Sequence, residues 1–196
     1  MGIIKTALEI ALEKTESVKS DKTSIDQFEA KRQGKKLANA FLAGESDISG
    51  VLKKTPASER ESFKQGIFDV LITQIALPSS EEDEKKLERL GKGFFEIISS
   101  KKNEFSALFK QLSLLFSQYL QEASHYEKAI QQQYAPKLRK KEEEIARRLG
   151  REVRIDPMQD PEFIAFYNQH MNALKGNYEE TVETAREKIK TMFGEN

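Results

Sequence analysis

The longest stretch of the chain with a single periodicity is residues 104–149, EFSALFKQLSLLFSQYLQEASHYEKAIQQQYAPKLRKKEEEIARRL. Apolar side chains recur every three or four positions from Phe105 to Leu149, with a mean spacing of about 3.67 residues, which is the period of a helix rather than of a strand. At about 1.5 Å per residue, such a helix is on the order of 70 Å long. We therefore predict one helix that is longer than a compact domain of this size needs, with a kink at Pro136.

The residues after this stretch predict a return helix. Asp160, Pro161 and Glu162 supply an N-cap, a first-turn proline and a first-turn carboxylate. Apolar residues then continue at helical spacing from Ile164 to Met192. The connector between the two helices is short enough for them to lie antiparallel, so we predict a long antiparallel helical hairpin over about residues 104–193.

The first hundred residues also carry helical patterns rather than alternation. The first two predicted helices cover residues 3–19 and 25–43; Ser24 and Gln27 form a capping box for the second, and Gly44 ends it. Residues 47–54 are predicted to be a turn. Two further helices are predicted from Pro56 to before Pro78 and from Ser80 through Ile98. The predicted fold class is all-α, a multi-helix bundle with the long hairpin. We predict a single domain over residues 1–196, with a possible subdivision into a bundle of residues 1–102 and a hairpin of residues 103–196.

Composition excludes several classes of protein. The 196 residues contain 32 Lys and Arg against 32 Asp and Glu, and no Cys. Zero net charge removes any attraction of the whole molecule to nucleic acid or membrane, and the lack of Cys excludes disulfides and Cys-ligated metals. No apolar run reaches the ~18 residues of a membrane span, so we expect a cytoplasmic protein without one. Gly2 with Thr6 fits a myristoylation pattern, which an ordinary helix start also explains.

Six basic residues share one side of the long helix near its end. At 100° per residue they fall within an arc of about 120°, which Glu144 interrupts. This basic ridge consists of Lys137, Lys140, Lys141, Arg147, Arg148 and Arg151. We expect the acidic residues at positions 179–187 to lie opposite residues 123–131, which leaves Glu162 as the carboxylate near the ridge. The ridge is either a surface for an anionic partner, nucleic acid or acidic protein, or a solvated face paired with residues 142–144.

Glu122 and His125 have the spacing that places two metal ligands on one helix face in di-iron carboxylate bundles. Such a site requires a second pair, and the other histidine, His170, has Tyr167 three positions before it. The sequence also lacks the phosphate-binding loop, the nucleophile elbow and the zinc-protease motif. We therefore predict no cofactor, no metal and no catalytic residue.

These observations favour a non-catalytic helical protein–protein interaction module, such as an adaptor, an assembly chaperone or a scaffold. The hairpin is expected to expose an apolar seam that a second copy covers, which predicts a homodimer with a further protein partner. One alternative is a nucleic-acid-associated protein that uses the basic ridge of residues 137–151. A second alternative is a metal-dependent enzyme that uses Glu122 and His125.

Overall fold

The computed structural model describes the backbone of residues 7–98 and 100–194. It describes the side chains of residues 24–194, except at positions 84 and 99. These described residues form the helices α1 (Ala7–Ala43), α2 (Ile48–Lys54), α3 (Arg60–Thr73), α4 (Glu81–Ile97), α5 (Lys102–Leu149) and α6 (Pro161–Gly194), with a short 3₁₀ helix at Pro157–Gln159. The described ranges contain no strand, which confirms the all-α prediction. The candidate lipidation residues Gly2 and Thr6 lie outside the described residues.

The chain divides into two compact units. The first takes the chain up to Gln74 together with Arg89–Lys102, and the second takes Ile75–Glu88 together with the chain from Asn103 onward. Within the described residues, no helix combines the length and the apolar character that crossing a membrane requires.

In the first unit, α1 and α3 cross with their backbones in contact. A Cβ at Gly34 of α1 would overlap the carbonyl oxygen of Phe63, and a Cβ at Gly66 of α3 would overlap the carbonyl oxygen of Lys31. Ile67 beside the crossing is fully buried. The crossing therefore depends on glycine on both helices, because a side chain at either position would push the backbones apart.

The structure corrects three predicted boundaries in this unit. Helix α1 is a single helix, so the predicted break before residue 25 is wrong: no Gly or Pro interrupts residues 7–33, and Ser24 lies inside the helix. The predicted turn at residues 47–54 contains α2, because the Asp47 side chain accepts a hydrogen bond from the Gly50 N–H at 2.8 Å and caps a helix there. Thr55 is the C-cap of α2, so α3 begins at Arg60 rather than at Pro56.

In the second unit, α5 and α6 form the predicted antiparallel hairpin. Ring centroids lie 5.2 Å apart for Tyr119 and Tyr178, and 5.2 Å apart for Tyr134 and Phe163. The residue numbers of the contacts increase along α6 as they decrease along α5, so the two helices are antiparallel. Helix α5 continues through Pro136 and ends at Leu149, and Gly150 after it has a φ of 67°, the left-handed conformation that fits its predicted role as the helix stop.

The register of the hairpin differs from the predicted one. Because Tyr178 packs on Tyr119, residues 179–187 lie opposite residues before 119, and the predicted position opposite 123–131 is wrong. The difference arises because the connector runs back along α5 before α6 begins. The Ile155 N–H donates a hydrogen bond of 2.9 Å to Oε1 of Glu142, and the last turns of α5 extend beyond the start of α6.

Candidate interaction surface at the hairpin tip

The hairpin tip, residues 130–163, contains a cluster of ion pairs between the end of α5 and the start of α6. The Lys141 ammonium lies 2.7 Å from Oδ2 of Asp160 and 2.8 Å from Oε2 of Glu162. The Lys137 ammonium lies 2.9 Å from the same Glu162 oxygen. As expected from the sequence, Glu162 is beside the ridge. We call Lys137, Lys141, Asp160 and Glu162 the tip clamp.

Local sequence places the carboxylates of the clamp. Asp160 is the residue before Pro161, and its Oδ1 accepts a hydrogen bond of 3.0 Å from the Glu162 N–H, so it caps α6. Its Oδ2 accepts a hydrogen bond from the Tyr134 hydroxyl at 3.2 Å. Asp160 is only 5% exposed, and the bonds from Lys141, Tyr134 and its own helix start satisfy its carboxylate. A buried carboxylate is stable only when it is paired and hydrogen-bonded in this way.

An aromatic cluster lies next to the tip clamp, between α5 and α6. Ile130, Tyr134 and Phe163 are buried together, and Phe166 and Tyr167 pack against them. The Tyr134 and Phe163 rings meet edge to face, the arrangement that aromatic pairs prefer. The cluster therefore packs α5 against α6 next to the tip clamp.

The contacts within the tip clamp shift the pKa values of its residues. Hydrogen bonds from Lys137 and Lys141 lower the pKa of Glu162 from 4.5 to about 2. The hydrogen bond from Lys141 also holds the pKa of Asp160 below its usual value, against the opposite effect of burial. The carboxylates raise the pKa of Lys141 above its usual range, and burial raises the pKa of Tyr134. All four ionisable clamp residues are therefore charged at neutral pH.

The other four residues of the basic ridge have no such partners. Lys140, Arg147, Arg148 and Arg151 are exposed, and among the described residues none of them makes an ion pair or a side-chain hydrogen bond. We call these four residues the free cations. Of the nearby carboxylates, Glu142 accepts the Ile155 N–H, while Glu143 and Glu144 are exposed and form no ion pair with the ridge. Leu149 beside Arg148 is 57% exposed.

Glu122 and His125 are both exposed on α5. Burial and a hydrogen bond to the Glu122 carboxylate raise the pKa of Tyr178 on α6. Within the described part of the chain, no group of three or more His, Cys, Asp or Glu residues stands close enough to hold a metal ion.

Two members of the tip were not identified from the sequence as parts of a site. The sequence identifies Asp160 only as a helix cap, and Tyr134 is simply one of the regularly spaced apolar positions between Phe105 and Leu149. The cap position places Asp160 at the start of α6, but its pairing with Lys141 depends on the path of the connector. Only the register of the hairpin brings these two side chains together.

These features define an all-α protein built on a long antiparallel helical hairpin with an ion-paired tip. Residues 49–191 match the model of a family of unknown function, DUF6657, and the chain belongs to that family. The matched residues include the whole hairpin tip. Comparison with curated proteins and with solved structures found no match.

Proposed function

We propose that this protein is a non-catalytic helical interaction module, and that the hairpin tip is the surface that binds its protein partner. One observation carries the proposal: the four free cations stand exposed on a tip that the clamp and the aromatic cluster hold in place. A surface held in one conformation binds with less loss of conformational entropy than a mobile one. Adaptor, assembly chaperone and scaffold are the roles that fit this arrangement.

The composition of the tip supports a protein partner. Protein interfaces are enriched in Arg, and the fully buried core of an interface is more apolar than the rest of the protein surface. Arg147, Arg148 and Arg151 supply the first feature, and Leu149 supplies the second. Unneutralised charge at a surface speeds association with an oppositely charged partner and selects against partners of like charge.

Affinity capture tests the proposal. The wild-type protein, a tip variant and a control variant are incubated with nuclease-treated extract of the cells that produce the protein. The tip variant carries Glu in place of Lys140, Arg147, Arg148 and Arg151. The control variant carries Glu in place of Lys53, Lys110, Lys128 and Lys188, which are exposed and unpaired in the described structure.

We expect at least one protein that the wild type and the control variant retain and the tip variant loses. The two variants have the same net charge, so a general charge effect removes binding from both. If the tip variant retains every protein that the wild type retains, the tip is not the interaction surface.

A second candidate function is nucleic-acid association, which the same four free cations favour. Each phosphate contact made by a cation releases counterions, so affinity falls with salt. Four contacts predict a slope of about −3.6 for the logarithm of affinity against the logarithm of salt concentration on duplex DNA. Binding to duplex DNA with this slope, absent from the tip variant, would favour the second candidate.

We also propose that the protein is a homodimer in the cytoplasm. Large apolar side chains are exposed on α1, where Ile25 is 66% exposed and Phe28 is 72% exposed, and on α5, where Leu114 is 61% exposed. A second copy that covers such side chains removes apolar surface from water. Native mass spectrometry measures the subunit count, and a fluorescent fusion locates the protein in the cell.

A further inference from the structure

We infer that the free cations bind an acidic, amphipathic protein segment, one that combines several carboxylates with at least one apolar residue. This inference rests on the proposed function and deepens it, because it names the chemistry of the partner. Three features of the hairpin tip carry it: the spacing of the free cations, the position of Leu149 and the position of Glu144.

The spacing of the free cations fits a row of carboxylates. Lys140 and Arg147 are seven residues apart on α5, which is about two helical turns or 10.5 Å along the axis. Arg148 lies one residue further, and Arg151 follows the Gly150 stop. A helix with acidic residues one or two turns apart presents carboxylates at the same intervals, and each Arg can donate two parallel hydrogen bonds to a carboxylate.

Leu149 gives the surface an apolar side. It follows Arg148 directly and points about 100° around the helix from it, but about 180° from Lys140, so it borders the surface only on the Arg148 side, at the end of α5. It is 57% exposed, whereas Leu138 and Ile145, the leucine and isoleucine before it in the last turns of α5, are partly buried. An acidic segment with an apolar residue beside its carboxylates would bury Leu149, whereas a purely polar chain would leave it in water.

Glu144 distinguishes a protein segment from nucleic acid. It lies four residues from both Lys140 and Arg148, on the same side of α5, and forms no ion pair among the described residues. A phosphate backbone carries uniform negative charge and would be repelled by this carboxylate. A protein segment can place a basic or neutral residue opposite Glu144 among its own carboxylates, so the mixed charge of the tip matches a protein.

A displayed library of random peptides of about 15 residues tests the inference, since this length allows about four helical turns. The library is selected against the full-length protein and counter-selected against the tip variant. We expect the enriched peptides to have net negative charge and an apolar residue. Zero-length carbodiimide coupling, which joins an amine to a carboxylate, should link such a peptide to Lys140, the one lysine among the free cations.

Substitution of Glu144 separates the two kinds of partner. Glu144→Lys should strengthen binding of a 20-base-pair DNA duplex by about tenfold for one added phosphate contact at low salt. The selected peptide, which carries a basic or neutral residue opposite Glu144, should gain much less than this or lose affinity. For the wild-type protein we expect the selected peptide to bind at least tenfold more tightly than the duplex near 0.15 M salt, where phosphate contacts are weakened.

Three outcomes would overturn the inference: no tip-dependent peptide, tip-dependent peptides that are neutral or basic, or tighter binding of the wild type to the duplex. Its failure is distinguishable from failure of the proposed function. Affinity capture can still return a protein that the tip variant loses. If carbodiimide does not couple an acidic segment of that protein to the tip, the module binds a partner of another chemistry. If capture returns no such protein, the proposed function itself fails.

Discussion

The ammonium group of Lys141 lies 2.7 Å from Oδ2 of Asp160, at the point where the connector becomes α6. This contact joins the last quarter of α5 to the N-cap of the return helix. The ammonium group of Lys141 is therefore paired with a carboxylate. Its sequence neighbour Lys140 remains exposed and unpaired in the described structure. Adjacent lysines thus have different surroundings: Lys141 is ion-paired with α6, and Lys140 is exposed to solvent.

Replacement of Lys141 should destabilise the hairpin more than replacement of Lys140. In Lys141→Met the carboxylate of Asp160, which is 5% exposed, loses its cation and keeps only the Tyr134 hydroxyl and the Glu162 N–H as partners. A buried charge without its partner is strongly unfavourable. Thermal unfolding should show a midpoint several degrees lower for Lys141→Met and nearly unchanged for Lys140→Met. Equal midpoints would show that the pair does not stabilise the tip.

Acid should weaken the clamp over a defined interval. The pKa of Glu162 is about 2 in the folded protein against 4.5 for the free side chain, so the unfolded state binds more protons between these values. The contribution of Glu162 to the free energy of unfolding is therefore complete above pH 4.5 and is lost as the pH falls toward 2. Urea unfolding should show a smaller loss of stability across this interval for Glu162→Gln than for the wild type.

High salt provides the control for that measurement. Glu162 is exposed, so added salt should screen its pairing with Lys137 and Lys141 and bring the wild type closer to the variant. An identical pH dependence of wild type and Glu162→Gln at low salt would contradict the pairing.

Removal of the Tyr134 hydroxyl should cost about 1.5–3 kcal/mol in the free energy of unfolding, because Tyr134→Phe keeps the packing of the ring and removes hydrogen bonds to ionised carboxylates. Those bonds run to Asp160 at 3.2 Å and to Glu162 at 3.4 Å. Tyr126→Phe is the matched control, since Tyr126 is exposed on the same helix. Urea unfolding at neutral pH measures both, and a loss of the same size in Tyr126→Phe would contradict a specific role for the Tyr134 hydroxyl.

The helix crossing in the first unit should not tolerate a methyl group. Gly34→Ala and Gly66→Ala each place a Cβ against a carbonyl oxygen of the facing helix, and overpacking of this kind costs about 1–3 kcal/mol or more. Gly176→Ala is the control: nothing lies within 4 Å of its added Cβ, so it should stabilise α6 by about 0.5–1 kcal/mol. Full retention of stability in either crossing variant would rule out the close approach.

Self-association should depend on the exposed apolar residues of α1. A variant with Ile25→Ser and Phe28→Ser removes two side chains that are 66% and 72% exposed, and should shift a dimer to monomer in native mass spectrometry at micromolar concentration. Val51→Ser, which removes a less exposed apolar side chain on α2, serves as the control. A wild type that is monomeric at this concentration would contradict the proposed homodimer, and a double variant that stays dimeric would place the contact elsewhere.

The elements that depend on local sequence were predicted well. The hairpin, the start of α6 at Asp160 and Pro161, and the glycine stops at Gly44 and Gly150 follow from periodicity and capping, which act over a few residues. The helix-boundary predictions that failed in the first unit needed a choice between two local signals of similar strength. Ser24 and Gln27 fit a capping box, but the unbroken helical sequence around them continues instead. The helix predicted from Pro56 begins at Arg60, because Thr55 is the C-cap of α2.

The sequence by itself determined the helical class, the long hairpin and the presence of a basic ridge, because spacing and residue type decide these properties along one helix. Only the tertiary structure decided which ridge residues are paired. The connector runs back along α5, so that α6 starts beside Lys137 and Lys141 and leaves Arg147 and Arg148 beyond it. Register between two helices depends on contacts such as Tyr134 with Phe163, which join residues far apart in the chain and leave no periodic signal in either segment.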